Sequence, residues 1–207
     1  YLCTEELFAS QCLNEAGIFR VSGSADVIAN IRKQHELGVF PPLRGEHFDP
    51  HVIAGILKAT LREMDEPLVT FDHYANFVKI GGQFTPQKLN DSEKQVLKDA
   101  IEKLPLSNRM MLQYIMNLFG EVAEVQEENK MTSANLAIVI APNILKPLEE
   151  SAMTAMGDNQ RVLRVTEAMI AEHKFLWTHS RDMKSALRTT RSRGASMDKT
   201  LLPSPTP

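Results

Sequence analysis

Hydrophobic residues recur along most of the chain at spacings of three and four, which predicts α-helices. Alternation of the kind that builds strands is hard to find. The predicted helices cover about 4–14, 25–37, 50–64, 71–80, 92–104, 108–125, 133–141 and 160–177. The pattern therefore predicts an all-α fold, a single helical-bundle domain of about seven to nine helices.

Local signals place several helix ends. Ser24 is a natural N-cap, and Gly38 can close the helix that follows it. Asp49-Pro50 combines a cap with proline at the first helical position, and Glu66-Pro67 ends the next helical stretch. Pro142 is predicted to stop the helix that begins near Ser133.

The sequence changes character after Trp177, where periodicity is lost and Ser, Thr, Arg and Pro accumulate. This predicts a folded domain over residues 1–178 and a basic, disordered tail over 179–207. Residues 181–207 hold six Lys and Arg against two Asp, a balance of +4, whereas the whole chain carries −3. The body is therefore acidic, at −7, which argues against a general nucleic-acid surface.

The tail is a candidate contact for anionic lipid or an acidic partner, although a solvated tail is the default interpretation. The two cysteines, Cys3 and Cys12, have neither disulfide-framework nor metal-ligand spacing, which favours a reducing compartment. The longest apolar run, Leu136 to Pro142, is far shorter than the ~20 residues of a membrane helix. Together these features predict a cytoplasmic protein.

Three features carry candidate chemistry. The first is the segment Gly17-Ile18-Phe19-Arg20-Val21-Ser22-Gly23, whose apolar residues favour burial while Arg20 faces water. The glycines allow tight backbone on either side. The segment would hold one guanidinium outward on a fixed loop, although a solvated arginine near a helix start would look the same.

The second feature is the helix over about 50–64. Its apolar residues form one stripe, and Lys58 and Arg62 lie together on the opposite side. Like charges four residues apart are mildly destabilising, so a bound anionic surface would relieve them. Glu63 and Glu66 could do the same, which leaves an ordinary charged face as the alternative.

The third feature is the apolar helix that contains Asn135 and the run Leu136-Ala137-Ile138-Val139-Ile140. A helix that is apolar all round is buried in the centre of a bundle. Asn143 follows Pro142 at its exit, where its amide could bond carbonyls left free or touch a partner.

These segments together resemble the signature blocks of RhoGAP domains. The blocks are the arginine segment, then Leu57-Lys58-Ala59-Thr60-Leu61-Arg62-Glu63-Met64-Asp65-Glu66-Pro67-Leu68, then Asn129 to Ala137 with Ala141-Pro142-Asn143. They occur in the family's order and at its approximate spacing. Ala16, Met64-Asp65 and Ala141 depart from the usual pattern, but none removes a polar group from the candidate site.

The resemblance implies a GTPase-activating domain that binds the GTP form of a Rho, Rac or Cdc42-type small GTPase. Arg20 matches the family's arginine finger, which completes the partner's catalytic site in trans. Lys58 and Arg62 match residues that support the finger and contact the GTPase, and Asn135 and Asn143 match partner-facing asparagines. The chain would need no cofactor of its own, since the partner holds the Mg²⁺ and GTP.

Two alternatives remain. The same fold could dock a GTPase as a scaffold or effector without accelerating hydrolysis, although the retained Arg20 argues against this. A metallohydrolase would rest only on His47 and His51, four residues apart with Pro50 between them and no further ligand cluster. The sequence therefore predicts no metal site.

Overall fold

The computed structural model describes residues 12–39, 49–84, 88–149 and 152–177 of the 207-residue chain, with the backbone alone over 152–156. Across these ranges it contains nine α-helices and no strand, which confirms the all-α prediction. A 3-10 turn at Cys12–Asn14 precedes them. The helices are α1 (Ala25–Glu36), α2 (Pro50–Arg62), α3 (Phe71–Gln83), α4 (Asp91–Glu102), α5 (Leu106–Glu124), α6 (Gln126–Asn129), α7 (Ser133–Ile144), α8 (Ala152–Ala171) and α9 (His173–Leu176).

The predicted N-cap of α2 and the predicted glycine closure of α1 are present. Asp49 accepts a 2.8 Å hydrogen bond from the backbone N–H of His51, with Pro50 at the first helical position. Gly38 adopts a left-handed φ of 76°, and Val39 N–H then bonds the carbonyl of Gln34 at 2.9 Å. Ser24 occupies the N-cap of α1, although its hydroxyl makes no cap bond.

The prediction that Pro142 stops α7 is wrong, because the helix continues to Ile144. Proline removes the N–H that would bond the carbonyl of Ile138, four residues earlier. Both Pro142 and Ile138 lie on the exposed side of α7. Water can therefore solvate the freed carbonyl, and the helix loses little by passing through the proline.

Helix α8 has a central place in the packing, since it contacts α3, α5, α7 and α9. It begins at Ala152, earlier than the predicted 160, and Glu172 separates it from α9. A Cβ on Gly81 of α3 would lie 2.1 Å from the carbonyl oxygen of Arg161 on α8. The close approach of these two helices therefore depends on a glycine at that position.

Contacts with the other helices position the 3-10 turn, α1 and α2. Helix α2 packs against both α1 and α7, and the 3-10 turn contacts α5 and α6. All nine helices belong to one unit, Tyr1–Leu176. The predicted first helix coincides with described residues only at the 3-10 turn, and the predicted disordered tail lies outside the described residues.

Candidate functional site

The segment over residues 15–23, here called the arginine loop, is fixed by its buried apolar side chains. Ile18 and Phe19 are completely buried, and Arg20 between Phe19 and Val21 is exposed. The expectation that Val21 is also buried is wrong, since it is 44% exposed. The burial of Ile18 and Phe19 nevertheless anchors the loop beside an outward-facing arginine.

The backbone of the loop turns on two left-handed residues. Gly17 has a φ of 72° and Phe19 a φ of 69°. The carbonyl of Gly17 accepts the N–H groups of Arg20 at 2.9 Å and Val21 at 2.8 Å. Left-handed geometry costs a residue other than glycine about 1–2 kcal/mol, so Phe19 must be held by its surroundings.

Two contacts hold Phe19. Its ring packs against that of Phe119 on α5, with centroids 4.6 Å apart and planes tilted by 43°. Its carbonyl accepts a hydrogen bond from Lys58 Nζ on α2. Burial, and to a lesser degree the charge of Arg62, lowers the pKa of Lys58 below its usual 10.5. Lys58 therefore gives up part of its hydration to hold the loop.

Asn129 provides a second tie that reasoning from the sequence missed. Its backbone carbonyl accepts the N–H of Gly17 at 2.7 Å. Its side-chain Nδ2 donates to the carbonyls of Leu13 and Val122, each at 2.7 Å. The signal available in the sequence was its place in the third block, which gave it no separate role.

Arg20 lies over the start of its own loop. A Cβ on Gly17 would be 3.4 Å from Arg20 Nη2 and 3.6 Å from Nε. Among the described residues, no carboxylate pairs with this guanidinium. Its charge is therefore available to an external anion, provided that the side chain swings away from Gly17.

Arg62 lies one helical turn beyond Lys58, at the end of α2. It is exposed, with Nη2 3.8 Å from Glu63 Oε1, and the other oxygen of Glu63 pairs with Arg32 on α1. Lys146, just after α7, donates to the carbonyl of Arg62 at 3.1 Å. Glu63 therefore offsets the charge of Arg62, as the alternative interpretation of the sequence expected. Lys58 instead points toward the arginine loop.

Helix α7 runs beside α2 and carries the two candidate asparagines. Asn135 is half-buried in its first turn, where its side-chain amide lies 3.4 Å from the carbonyl of Lys130. Asn143, two turns later, is only 8% exposed and donates to the carbonyl of Val139 at 3.0 Å. In this conformation Asn143 donates one amide hydrogen to its own helix, which leaves the second amide hydrogen and the amide oxygen for other partners.

Ile138 corrects the prediction that α7 is buried all round, because it is 60% exposed. It lies between Asn135 and Pro142 on the outer side of the helix. Its exposed side chain is therefore available for contact with another protein. Only the tertiary packing reveals which of the apolar residues in this run faces outward.

Other kinds of site find no support in the described ranges. No group of three His, Cys, Asp or Glu there could hold a metal ion. His51 Nε2 lies 3.6 Å from Glu15 Oε1, and His47 falls outside those ranges. No helix in the described part of the chain is long and apolar enough to cross a membrane.

Comparison with known proteins decides the family. The family model of the RhoGAP domain matches residues 1–149 of the 207. The chain belongs to the RhoGAP domain family. It is 34% identical to the Rho GTPase-activating protein gacN of Dictyostelium discoideum over 168 residues, which cover 81% of this chain and 27% of that protein.

Human proteins are similar to this RhoGAP domain at the same level. Bargin is 35% identical over 79% of this chain and 24% of its own length. Rho GTPase-activating protein 44 is 37% identical over 70% of this chain and 17% of its own length. The chain thus spans about a quarter or less of the length of these curated relatives.

Solved structures share the fold. The crystal structure of the BH domain from Graf, the GTPase regulator associated with focal adhesion kinase, superposes with a TM-score of 0.71 at 25% identity, covering 86% of this chain and 91% of that one. Human Rho GTPase activating protein 15 gives a TM-score of 0.75 at 25% identity, covering 84% and 81% respectively. The RhoGAP fold is therefore shared over most of this chain.

Proposed function

We propose that this RhoGAP domain accelerates GTP hydrolysis by a Rho, Rac or Cdc42-type small GTPase, with Arg20 inserted into the partner's active site. The observation that carries the proposal is the exposed Arg20 on a loop fixed at two backbone positions. Asn129 holds the N–H of Gly17, and Lys58 holds the carbonyl of Phe19. A side chain on such a frame can be delivered to another protein without first ordering its loop.

Arg20 would act by stabilising negative charge in the transition state. During hydrolysis negative charge spreads over the phosphate oxygens, and an arginine supplied in trans stabilises that charge. The planar guanidinium keeps its proton and can reach two oxygens at once, which a lysine ammonium cannot do. For Ras and its activator the gain is about 10⁵-fold, or about 7 kcal/mol of barrier, and a gain of that order is the expectation here.

We assign docking to the neighbouring outer sides of α2 and α7. Arg62 would meet acidic or carbonyl oxygens of the GTP-bound partner, and Asn135 and Asn143 would bond its backbone. Ile138 would supply the apolar centre of the contact. The partner would hold the nucleotide and Mg²⁺, so this chain would contribute only side chains to the completed site.

The decisive experiment is single-turnover GTP hydrolysis by a panel of Rho-family GTPases, with and without the domain. Arg20→Ala is expected to remove most of the acceleration while retaining affinity for GTPase loaded with a non-hydrolysable nucleotide. Arg161→Ala, an exposed arginine on α8, is the matched control and should behave as wild type. Undiminished stimulation by Arg20→Ala would refute the assignment.

The same experiment separates the alternative, a GTPase-binding scaffold or effector module of this fold. Such a module would bind the GTP-loaded partner and leave hydrolysis at its intrinsic rate. We further propose the cytoplasm as the site of action, since Cys12 is a buried thiol and small GTPases of this class would be met there. Fractionation of cells that express the full-length protein tests this.

A further inference from the structure

We propose that Asn129 is a positioning residue for catalysis, one that sets the geometry of Arg20 without touching the GTPase. The inference rests on the proposed function. Asn129 is completely buried at the end of α6, and its backbone N–H and carbonyl and its side-chain Nδ2 and Oδ1 are all hydrogen-bonded. It joins the arginine loop to two helices.

The side chain of Asn129 acts as a bracket between segments that are far apart in the sequence. Its Nδ2 donates to Leu13 in the 3-10 turn and to Val122 on α5. Its Oδ1 accepts the N–H of Met131, at 2.7 Å, on the way into α7. The buried amide thus donates both of its hydrogens and accepts one at its oxygen. No other side chain of similar size offers this combination of two donors and an acceptor.

The backbone of Asn129 extends the bracket to the loop itself. Its carbonyl accepts the N–H of Gly17, and the carbonyl of Gly17 in turn accepts the N–H of Arg20. Only one residue therefore lies between Asn129 and the arginine in this chain of hydrogen bonds. A shift of Asn129 would therefore move Gly17, whose carbonyl holds the backbone N–H of Arg20.

Lys58 cannot replace this tie, because it acts on the opposite side of the turn at the carbonyl of Phe19. If Gly17 were released, the loop would keep the buried side chains of Ile18 and Phe19 and the bond from Lys58, but the backbone at the start of the loop could rotate. Docking would change less, since the exposed side chains of α2 and α7 lie outside this bracket. Loss of Asn129 should therefore lower the rate of the bound complex more than its affinity.

The test uses Asn129→Asp, which keeps the shape but turns both Nδ2 donors into an acceptor, and Asn129→Ser, which is shorter and uncharged. At saturating domain the single-turnover rate should fall by about 10²-fold, the loss typical of a catalytic group displaced by about 1 Å. The Kd for GTPase loaded with a non-hydrolysable nucleotide should change by less than about 3-fold. Leu97→Ala and Ile101→Val on α4 lower stability away from the loop and should leave the saturating rate unchanged.

A double-variant cycle supplies a readout that a purely structural role would not move. In an Arg20→Ala background, adding Asn129→Ser should leave the residual rate at saturation unaltered, because the group through which Asn129 acts is absent. Independent, multiplicative losses would overturn the proposal. So would wild-type saturating rates in both single variants.

Amide exchange in the wild-type domain covers the case in which neither variant folds. The N–H of Gly17 should exchange slowly, with the protection of the core helices, and rapid exchange there would overturn the inference. If the wild-type domain accelerates hydrolysis but Asn129 variants saturate at its rate, only the positioning role fails. If no GTPase in the panel is accelerated by the wild type, the proposed function fails and this inference falls with it.

Discussion

Gly17 offers a test of the arginine loop in which backbone strain and side-chain contact can be separated. Gly17 and Gly38 have nearly the same left-handed φ, 72° and 76°. A Cβ on Gly38 would meet nothing within 4 Å, whereas one on Gly17 would lie 2.8 Å from Val21 Cγ2 and 3.4 Å from Arg20 Nη2. Alanine at the two positions should therefore share the backbone penalty and differ in the contact with the loop.

The magnitudes follow from these distances. Left-handed geometry costs alanine about 1–2 kcal/mol, and the stiffer unfolded chain returns about 0.4–1 kcal/mol, so each variant loses about 1 kcal/mol. Gly17→Ala adds overpacking of about 1 kcal/mol. This is the low end of the usual range, because the crowded atoms, Val21 Cγ2 and Arg20 Nη2, lie at the ends of exposed side chains that can move aside. Gly17→Ala should thus lose about 2 kcal/mol of unfolding free energy.

Denaturant unfolding gives the two stabilities, and single-turnover GTP hydrolysis at saturating domain gives the catalytic effect. Gly38→Ala is expected to keep the wild-type rate. Gly17→Ala should lower the rate by about 10-fold or more, because the backbone strain and the contact with Val21 displace the loop that carries Arg20. A Gly17→Ala domain that is folded, binds normally and stimulates fully would show that the geometry of the loop at Gly17 has no bearing on catalysis.

Three further predictions address docking, pH and packing. Ile138→Ala should raise the Kd for the GTP-loaded partner by about 10-fold without changing unfolding or the saturating rate, as titration calorimetry and the hydrolysis assay would show. Lys58 has a lowered pKa in the folded state, so the unfolded chain holds the proton more tightly and wild-type stability should rise with pH as 10.5 is approached from below. Lys58→Met should lack that rise in urea unfolding at a series of alkaline pH values. Gly81→Ala should lose about 3 kcal/mol against the backbone of Arg161, whereas Gly157→Ala, with open space around its Cβ, should gain up to about 1 kcal/mol in thermal unfolding.

Much of the fold could be predicted because helix signals are local. The cap at Asp49 and the left-handed closure at Gly38 each depend on a few neighbouring residues, and both are present. The prediction failed at Pro142, where the penalty for proline depends on whether the orphaned carbonyl faces water. It also missed α6, since a four-residue helix is too short to leave a periodic signal.

The candidate site likewise has residues that local sequence could identify and contacts that only the packing shows. Arg20, Lys58, Arg62, Asn135 and Asn143 could be named from ordered blocks in the sequence, and their roles toward a GTPase stay predictions. That Lys58 reaches Phe19, and that Ile138 is exposed, could not be read from spacing. Both depend on how α2 and α7 pack against the rest of the domain.

The sequence by itself thus determined the helical class, most helix ends and the identity of the cation on the arginine loop, because periodicity, caps and residue chemistry act over a few neighbouring positions. Tertiary structure alone decided how that cation is held. Gly17 and Asn129 are more than a hundred positions apart, yet their backbones meet at 2.7 Å. A buried amide can satisfy its hydrogen bonds only where folding brings separate carbonyls together, and no local pattern records that meeting.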